Sequence, residues 1–438
     1  MTTGVQPATA RGLAPGASPM GATPAPSSIA LAGEHFAAAT LYLVVGALGL
    51  VWIAPELAAG AYASPHVAGV THLFTLGWLT TTIFGALYQL LPVALGAPLR
   101  SVRVGHVGFA AFAPGAGLFA AGVATGSATL SHAGIVLITI GVALAVSNIA
   151  SSLPRARSRD VTWAAVATAL TFLASTLVLG VVLLHNLHTG FLAEARVRVL
   201  ATHLHVALVG WALVMMVGVS HRLLPMFLLA HGADTAWTRR SLLLLATGVV
   251  ALAIAVTSRD GVSGWVAVAM LEGGVACFVW QARSFHRARV RRKIDVGMRF
   301  AAIALGFLVA AALLGIAVFA AGASHARLAT AYVAVGLLGG IVLYVVGFFY
   351  KIVPLLAWTV RYRERMGRGD TPTVAQTFSA RIAHEQLVVM TAGVSFLAVG
   401  IGGGSAHATR CGAVFFLAGV LLFVSQIARV SIGAADAG

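Results

Sequence analysis

Charge is what this sequence has least of. Charged residues make up 9% of its 438 residues and hydrophobic residues 59%, whereas a soluble domain carries roughly 25% charged residues. So little charge cannot cover a water-facing surface, which excludes a soluble globular fold and leaves most of the surface to lipid. The apolar runs also lack the ten-residue alternation of an outer-membrane barrel. In hydrocarbon, unpaired backbone groups exclude irregular spans, so each run reads as a helix of about 20 residues. Cysteine is nearly absent. Cys277 and Cys411 both lie inside apolar runs, which excludes a disulfide framework and a CxxC metal site. Acidic residues number 12 against 28 basic ones. The excess of positive charge lies in loops and reflects membrane orientation; no nucleic-acid partner is implied.

Residues 1–33 are rich in Ala, Pro, Gly, Ser and Thr, with Arg11 as their one Lys or Arg and no apolar run of signal-peptide length, and read as a disordered cytoplasmic tail. Residues 34–434 form one transmembrane domain. Twelve spans are expected: 35–54, 66–95, 104–125, 130–152, 161–186, 197–229, 240–257, 262–283, 298–321, 325–358, 384–404 and 408–432. The loops after even-numbered spans hold most of the Lys and Arg, among them Arg155, Arg157, Arg159, Arg287, Arg289 and Lys293. The opposite loops hold Arg196, Arg198, Arg259, Arg327 and Arg410. The positive-inside rule then puts both termini in the cytoplasm, in a bacterial inner membrane.

A repeat underlies the twelve spans. Thr71 to Pro92, Leu204 to Pro225 and Val333 to Pro354 align without gaps. With His72, His205 and Ala334 as position zero, each has Gly at +5 (Gly77, Gly210, Gly339). Each has Gly again at +13 (Gly85, Gly218, Gly347) and Pro at +20 (Pro92, Pro225, Pro354). Position +6 is Trp78, Trp211 and Gly340. Each segment is the second helix of a four-helix set, with the sets at 35–152, 161–283 and 298–432. The expected fold is therefore an all-α integral membrane protein of three pseudo-symmetric four-helix arcs.

Ionisable groups inside a membrane are functional candidates. His72 and His205 share one level of the repeat, near the outer face, and are expected to face each other as the two axial ligands of a bis-His haem. Gly77 and Gly210 would leave room beside the macrocycle, with Trp78 and Trp211 at its edge. His203, two residues before His205, points about 200° away from it and addresses a second cavity. His185 and His188, at i and i+3, have a spacing that can share a metal ion. Outer-face Arg196, Arg198, Arg327 and Arg410 could pair with propionates.

Twelve helices in three arcs with histidines near the outer face resemble subunit I of the haem–copper oxidase superfamily, which includes cytochrome oxidases and the large subunit of nitric oxide reductases. The segment HLHVALVGWALVMMVGVSHRLLP is similar to that family's tenth helix. The resemblance implies haem b held by His72 and His205, with His203 on a second haem. It also implies electron transfer or O2/NO chemistry, and an electron-donor cytochrome or partner subunit. Three features depart from the family. The His-x-His lies on the sixth span, no His-His dipeptide occurs, and Glu272 in the eighth span is the only deeply placed carboxylate. The standard copper-ligand motif is thus missing, which argues against copper at a standard site and leaves oxidoreductase activity open. The alternative from another class is a non-redox transporter or channel built from membrane repeats.

Overall fold

The computed structural model describes residues 26–230, 234–258, 260–290, 293–322, 325–362 and 371–433. Among the described residues, twelve helices are long and apolar enough to cross a membrane. They are α1 (Ser28–Trp52), α2 (Pro65–Ala94), α3 (Val102–Thr125), α4 (Ala128–Arg155), α5 (Val161–Thr189) and α6 (Ala193–Leu228). Then come α7 (Ala236–Ser258), α8 (Gly261–Arg287), α9 (Val296–Ala321), α10 (Ala326–Tyr362), α11 (Ala380–Gly402) and α12 (Ala406–Ile432). This is the helical membrane fold expected from composition, with each expected span falling on one helix. Large apolar side chains such as Leu41, Val178, Leu243, Leu313 and Val399 are exposed along the outer helices, as a lipid-facing surface requires. One boundary differs. α1 already begins within the stretch read as tail, because Ser28 to Gly33 (SIALAG) contains good helix formers. The earlier part of that tail lies outside the described residues.

Each four-helix set makes two tight pairs. Its first helix packs on its second (α1 on α2, α5 on α6, α9 on α10), and its third packs on its fourth (α3 on α4, α7 on α8, α11 on α12). Small residues allow both. A methyl at Gly77, Gly210 or Gly339 would lie 2.5–2.6 Å from a ring carbon of Tyr42, Phe172 or Phe307 on the first helix of the same set. Eight positions further along, Gly85 meets His35 and Gly218 meets Ala165, while Gly347 meets Gly297 and Phe300. The +5 glycines therefore seat aromatic rings of the neighbouring helix, where the sequence suggested space for a macrocycle.

α2, α6 and α10 share a further feature. Each switches from α to π geometry for eight residues: Leu73–Thr80, Val206–Leu213 and Val335–Val342. All three π segments begin one residue after position zero and end at +8. A π segment replaces i→i+4 bonding by i→i+5 and widens the turn, and such segments are rare. In the first copy, the Thr80 and Thr81 hydroxyls donate to the carbonyls of Thr75 (2.8 Å) and Leu76 (3.0 Å), five residues back. Three π turns at one register are structural evidence for the repeat itself.

At position +17 of the same alignment lie Gln89, Arg222 and Lys351. Arg222 pairs with Asp160 and Lys351 with Asp295. Each aspartate also caps the first helix of its own set: Asp160 accepts from Thr162 N and Trp163 N, and Asp295 from Met298 N. Gln89 donates instead to the Ser28 carbonyl at the start of α1. The same tie thus joins the end of the second helix to the start of the first in every set.

Candidate functional site

The histidine layer lies where α2 and α6 turn from α to π geometry. His72 Nδ1 donates to the Ala68 carbonyl (2.7 Å) and His205 Nδ1 to the Ala201 carbonyl (2.8 Å). Each bond, one helical turn back, fixes the tautomer and leaves Nε2 bare as a ligand or acceptor.

The pairing differs from the one the sequence suggested. His72 faces His203, with ring centroids 6.4 Å apart and planes 36° from parallel. His205 turns to the far side of α6 and meets Tyr332 of α10, whose hydroxyl lies 3.2 Å from Nε2. The physical reason is the i, i+2 geometry itself. Position −2 of one set reaches the preceding set, and position zero reaches the following set. The first-to-second junction is then His72 with His203, and the second-to-third is His205 with Tyr332. The corresponding residues for the third-to-first junction are Ala334 and Val70, both apolar. Tyr332 was not singled out as a partner by the sequence, although aligning position −2 (Val70, His203, Tyr332) exposes it.

The His72–His203 gap is bounded by Phe119 of α3, edge-on to His72 at 5.0 Å, and by Gly180 of α5 beside His203. His203 Nδ1 is buried without a hydrogen bond of standard geometry, and the backbone of Thr176 on α5 is the polar group nearest its ring. Arg196 lies two helical turns before His203 on the same face of α6 and donates to the Ala63 carbonyl (3.2 Å), just before the start of α2.

Neither tryptophan joins this layer. Trp78 is fully buried against Phe349 (4.8 Å) and Phe423 (5.9 Å). Trp211 donates to Thr80 Oγ1 (3.1 Å) and thereby ties α6 to α2. Both are packing residues deeper in the bundle. His185 and His188 also separate: His185 lies against Phe191 (5.1 Å), while His188 stacks on His132 of α4 (5.0 Å). Among the described residues, no three His, Cys, Asp or Glu side chains come together as a metal site.

Seven residues beyond the histidine layer, α2, α6 and α10 line a half-open pocket of about 80 Å³. Positions +7, +10, +11, +14 and +15 of all three helices line it, and Phe36 of α1 adds one wall. Its polar groups are few. Ser220 donates to the Met216 carbonyl (2.5 Å) and so accepts from the Tyr344 hydroxyl at 2.6 Å. The Thr82 hydroxyl is buried without a protein partner.

At the start of α2, Glu56 is held by the Ser64 hydroxyl and by His66 Nδ1 (2.8 Å). Partial burial works to raise the Glu56 pKa, but hydrogen bonds from Ser64 and His66 and the His66 charge outweigh it and hold it below its usual value. The resulting stability is present above the ordinary carboxylate range and fades as pH falls through the lowered Glu56 pKa. Glu56→Gln is expected to lower stability at neutral pH by less than about 1 kcal/mol, because the pair is partly solvated. Thermal unfolding at pH 7 and pH 3.5 checks this: the difference from wild type should shrink at the lower pH.

Fold and site together define a helical membrane protein whose most enclosed helices, α2 and α10, flank a third, α6, that presents histidines to both. No protein-family model matches the chain, and no curated protein matches it either.

Proposed function

We propose that this chain is a haem-b-binding redox protein of a bacterial inner membrane, with both termini cytoplasmic and the histidine layer toward the outer face. The observation that carries the reading is the His72–His203 pair. Two iron–nitrogen bonds of about 2 Å, plus about 1 Å from each nitrogen to its ring centre, separate opposed axial imidazoles by about 6 Å. The 6.4 Å between these centroids matches that spacing. The donor chemistry fits as well: His72 presents a bare Nε2, and His203 turns a buried imidazole toward it. Arg196, on the His203 face, supplies a cation for a propionate. Haem held by His72 and His203 would supply one-electron chemistry. That favours electron transfer over gas reduction at this iron, with a donor cytochrome or partner subunit delivering the electron.

The reduced-minus-oxidised absorption spectrum of the purified protein tests the proposal. Sharp Soret and alpha bands of a six-coordinate low-spin haem are expected. A colourless protein after expression with ample haem overturns the reading in favour of a transporter or channel.

A further inference from the structure

Two further imidazoles meet where α4 begins and α5 ends, on the same membrane face as the histidine layer. His132 of α4 and His188 of α5 are both exposed, with ring centroids 5.0 Å apart. The first turn of α4 fixes both tautomers. His132 Nδ1 donates to the Ala128 carbonyl (2.6 Å), which leaves Nε2 bare. The Ser131 hydroxyl gives its own proton to the Ser127 carbonyl (2.9 Å), so it accepts from His188 Nε2 (3.4 Å) and leaves His188 Nδ1 bare. Metal-bound histidines donate their other ring N–H in this way. The spacing of the rings fits too. Two zinc–nitrogen bonds of about 2 Å, each with about 1 Å to its ring centre, put the centroids about 5 Å apart at the tetrahedral angle, against about 6 Å for an opposed axial pair. His185, one turn back from His188, lies against Phe191 (5.1 Å) and outside this pair.

We infer that His132 and His188 hold a divalent transition-metal ion of the zinc class, at a site separate from the His72–His203 gap. The two ring planes are 26° from parallel, and the broad χ2 torsion of an exposed imidazole lets both bare nitrogens turn onto one ion. Neutral imidazole is a good ligand for such ions, and the exposure of both rings leaves the remaining tetrahedral positions to water. The ion joins the last helix of the first set to the first helix of the second. Each of these two helices packs most closely within its own set, α4 on α3 and α5 on α6. Zinc would therefore tie the two sets across the same junction that His72 and His203 span. The site stands on this geometry whether or not iron occupies that gap.

Equilibrium dialysis of the full, tag-free chain in lipid nanodiscs, stripped with EDTA and then exposed to Zn2+ alone, tests this. A single saturable Zn2+ per chain is expected at micromolar free metal. His132→Ala and His188→Ala should each weaken binding by about tenfold or more, while His185→Ala leaves it unchanged. Both rings are exposed, so neither substitution opens a cavity in the core. His72→Ala and His203→Ala should keep the zinc affinity, which separates this result from the haem reading. Absence of a saturable site in wild type, or wild-type affinity in either His132→Ala or His188→Ala, overturns the inference. So does a loss confined to His185→Ala and His188→Ala, which would place the ion on α5 alone.

Discussion

His72→Ala and His203→Ala should each abolish the low-spin haem spectrum, and His205→Ala should leave it in place. The first two remove an axial imidazole outright. Their expected cost in haem affinity exceeds about 100-fold, since removing even an outer partner of a metal-bound histidine costs 10–100-fold. His205 is two residues from His203, yet its Nε2 is engaged by Tyr332 on the opposite side of α6. Truncating it loses two hydrogen bonds, to Ala201 and from Tyr332, each worth about 1 kcal/mol, and leaves the His72–His203 gap untouched. Haem content per protein, measured on monodisperse material, is the readout, and added imidazole should restore the low-spin spectrum to the two deficient variants. The reverse pattern, with His205→Ala colourless and His203→Ala normal, would falsify the pairing and return the ligand role to His72 with His205.

Much of this architecture is legible in the sequence, because bilayer physics writes it in composition. Long Leu/Ala/Val runs can only be helices in hydrocarbon, and the Gly, Gly, Pro frame found by alignment coincides with three π segments at one register. The π geometry itself has no residue signature, since it is a shift of backbone bonding. The His-x-His spacing correctly implied that one helix serves two sides. Which side meets which neighbour was hidden, because equal depth along two helices does not fix which faces they turn to each other. His72 therefore met position −2 of the next set where its own repeat equivalent was expected. The +17 ties, Arg222 with Asp160 and Lys351 with Asp295, fall inside the aligned segments between the Gly at +13 and the Pro at +20, but a pairing with another helix leaves no mark in the alignment itself.

Gly122→Ala and Gly412→Ala are expected to destabilise the protein, while Gly306→Ala does the opposite. All three glycines lie inside membrane helices, where alanine is favoured by about 1 kcal/mol in helix propensity. Their surroundings differ. A methyl on Gly122 of α3 would lie 2.3 Å from the Ser131 backbone nitrogen of α4, and one on Gly412 of α12 would lie 2.4 Å from the Leu397 nitrogen of α11. Backbone cannot rotate away as a side chain can, so these pairs must separate along their length. Overpacking of this kind costs about 1–3 kcal/mol, and the loss of close helix contacts along α3–α4 or α11–α12 adds to it, so the net sign is unfavourable. Gly306 of α9 has nothing within 4 Å and keeps the propensity gain. The propensity gain is common to all three, so the contrast between the buried and exposed substitutions is at least the overpacking cost of about 1–3 kcal/mol. Unfolding temperatures in detergent at one fixed scan rate measure it, with a fixed rate because membrane-protein unfolding is often irreversible. Gly122→Ala and Gly412→Ala as heat-stable as Gly306→Ala would mean that the helix pairs do not touch backbone to backbone.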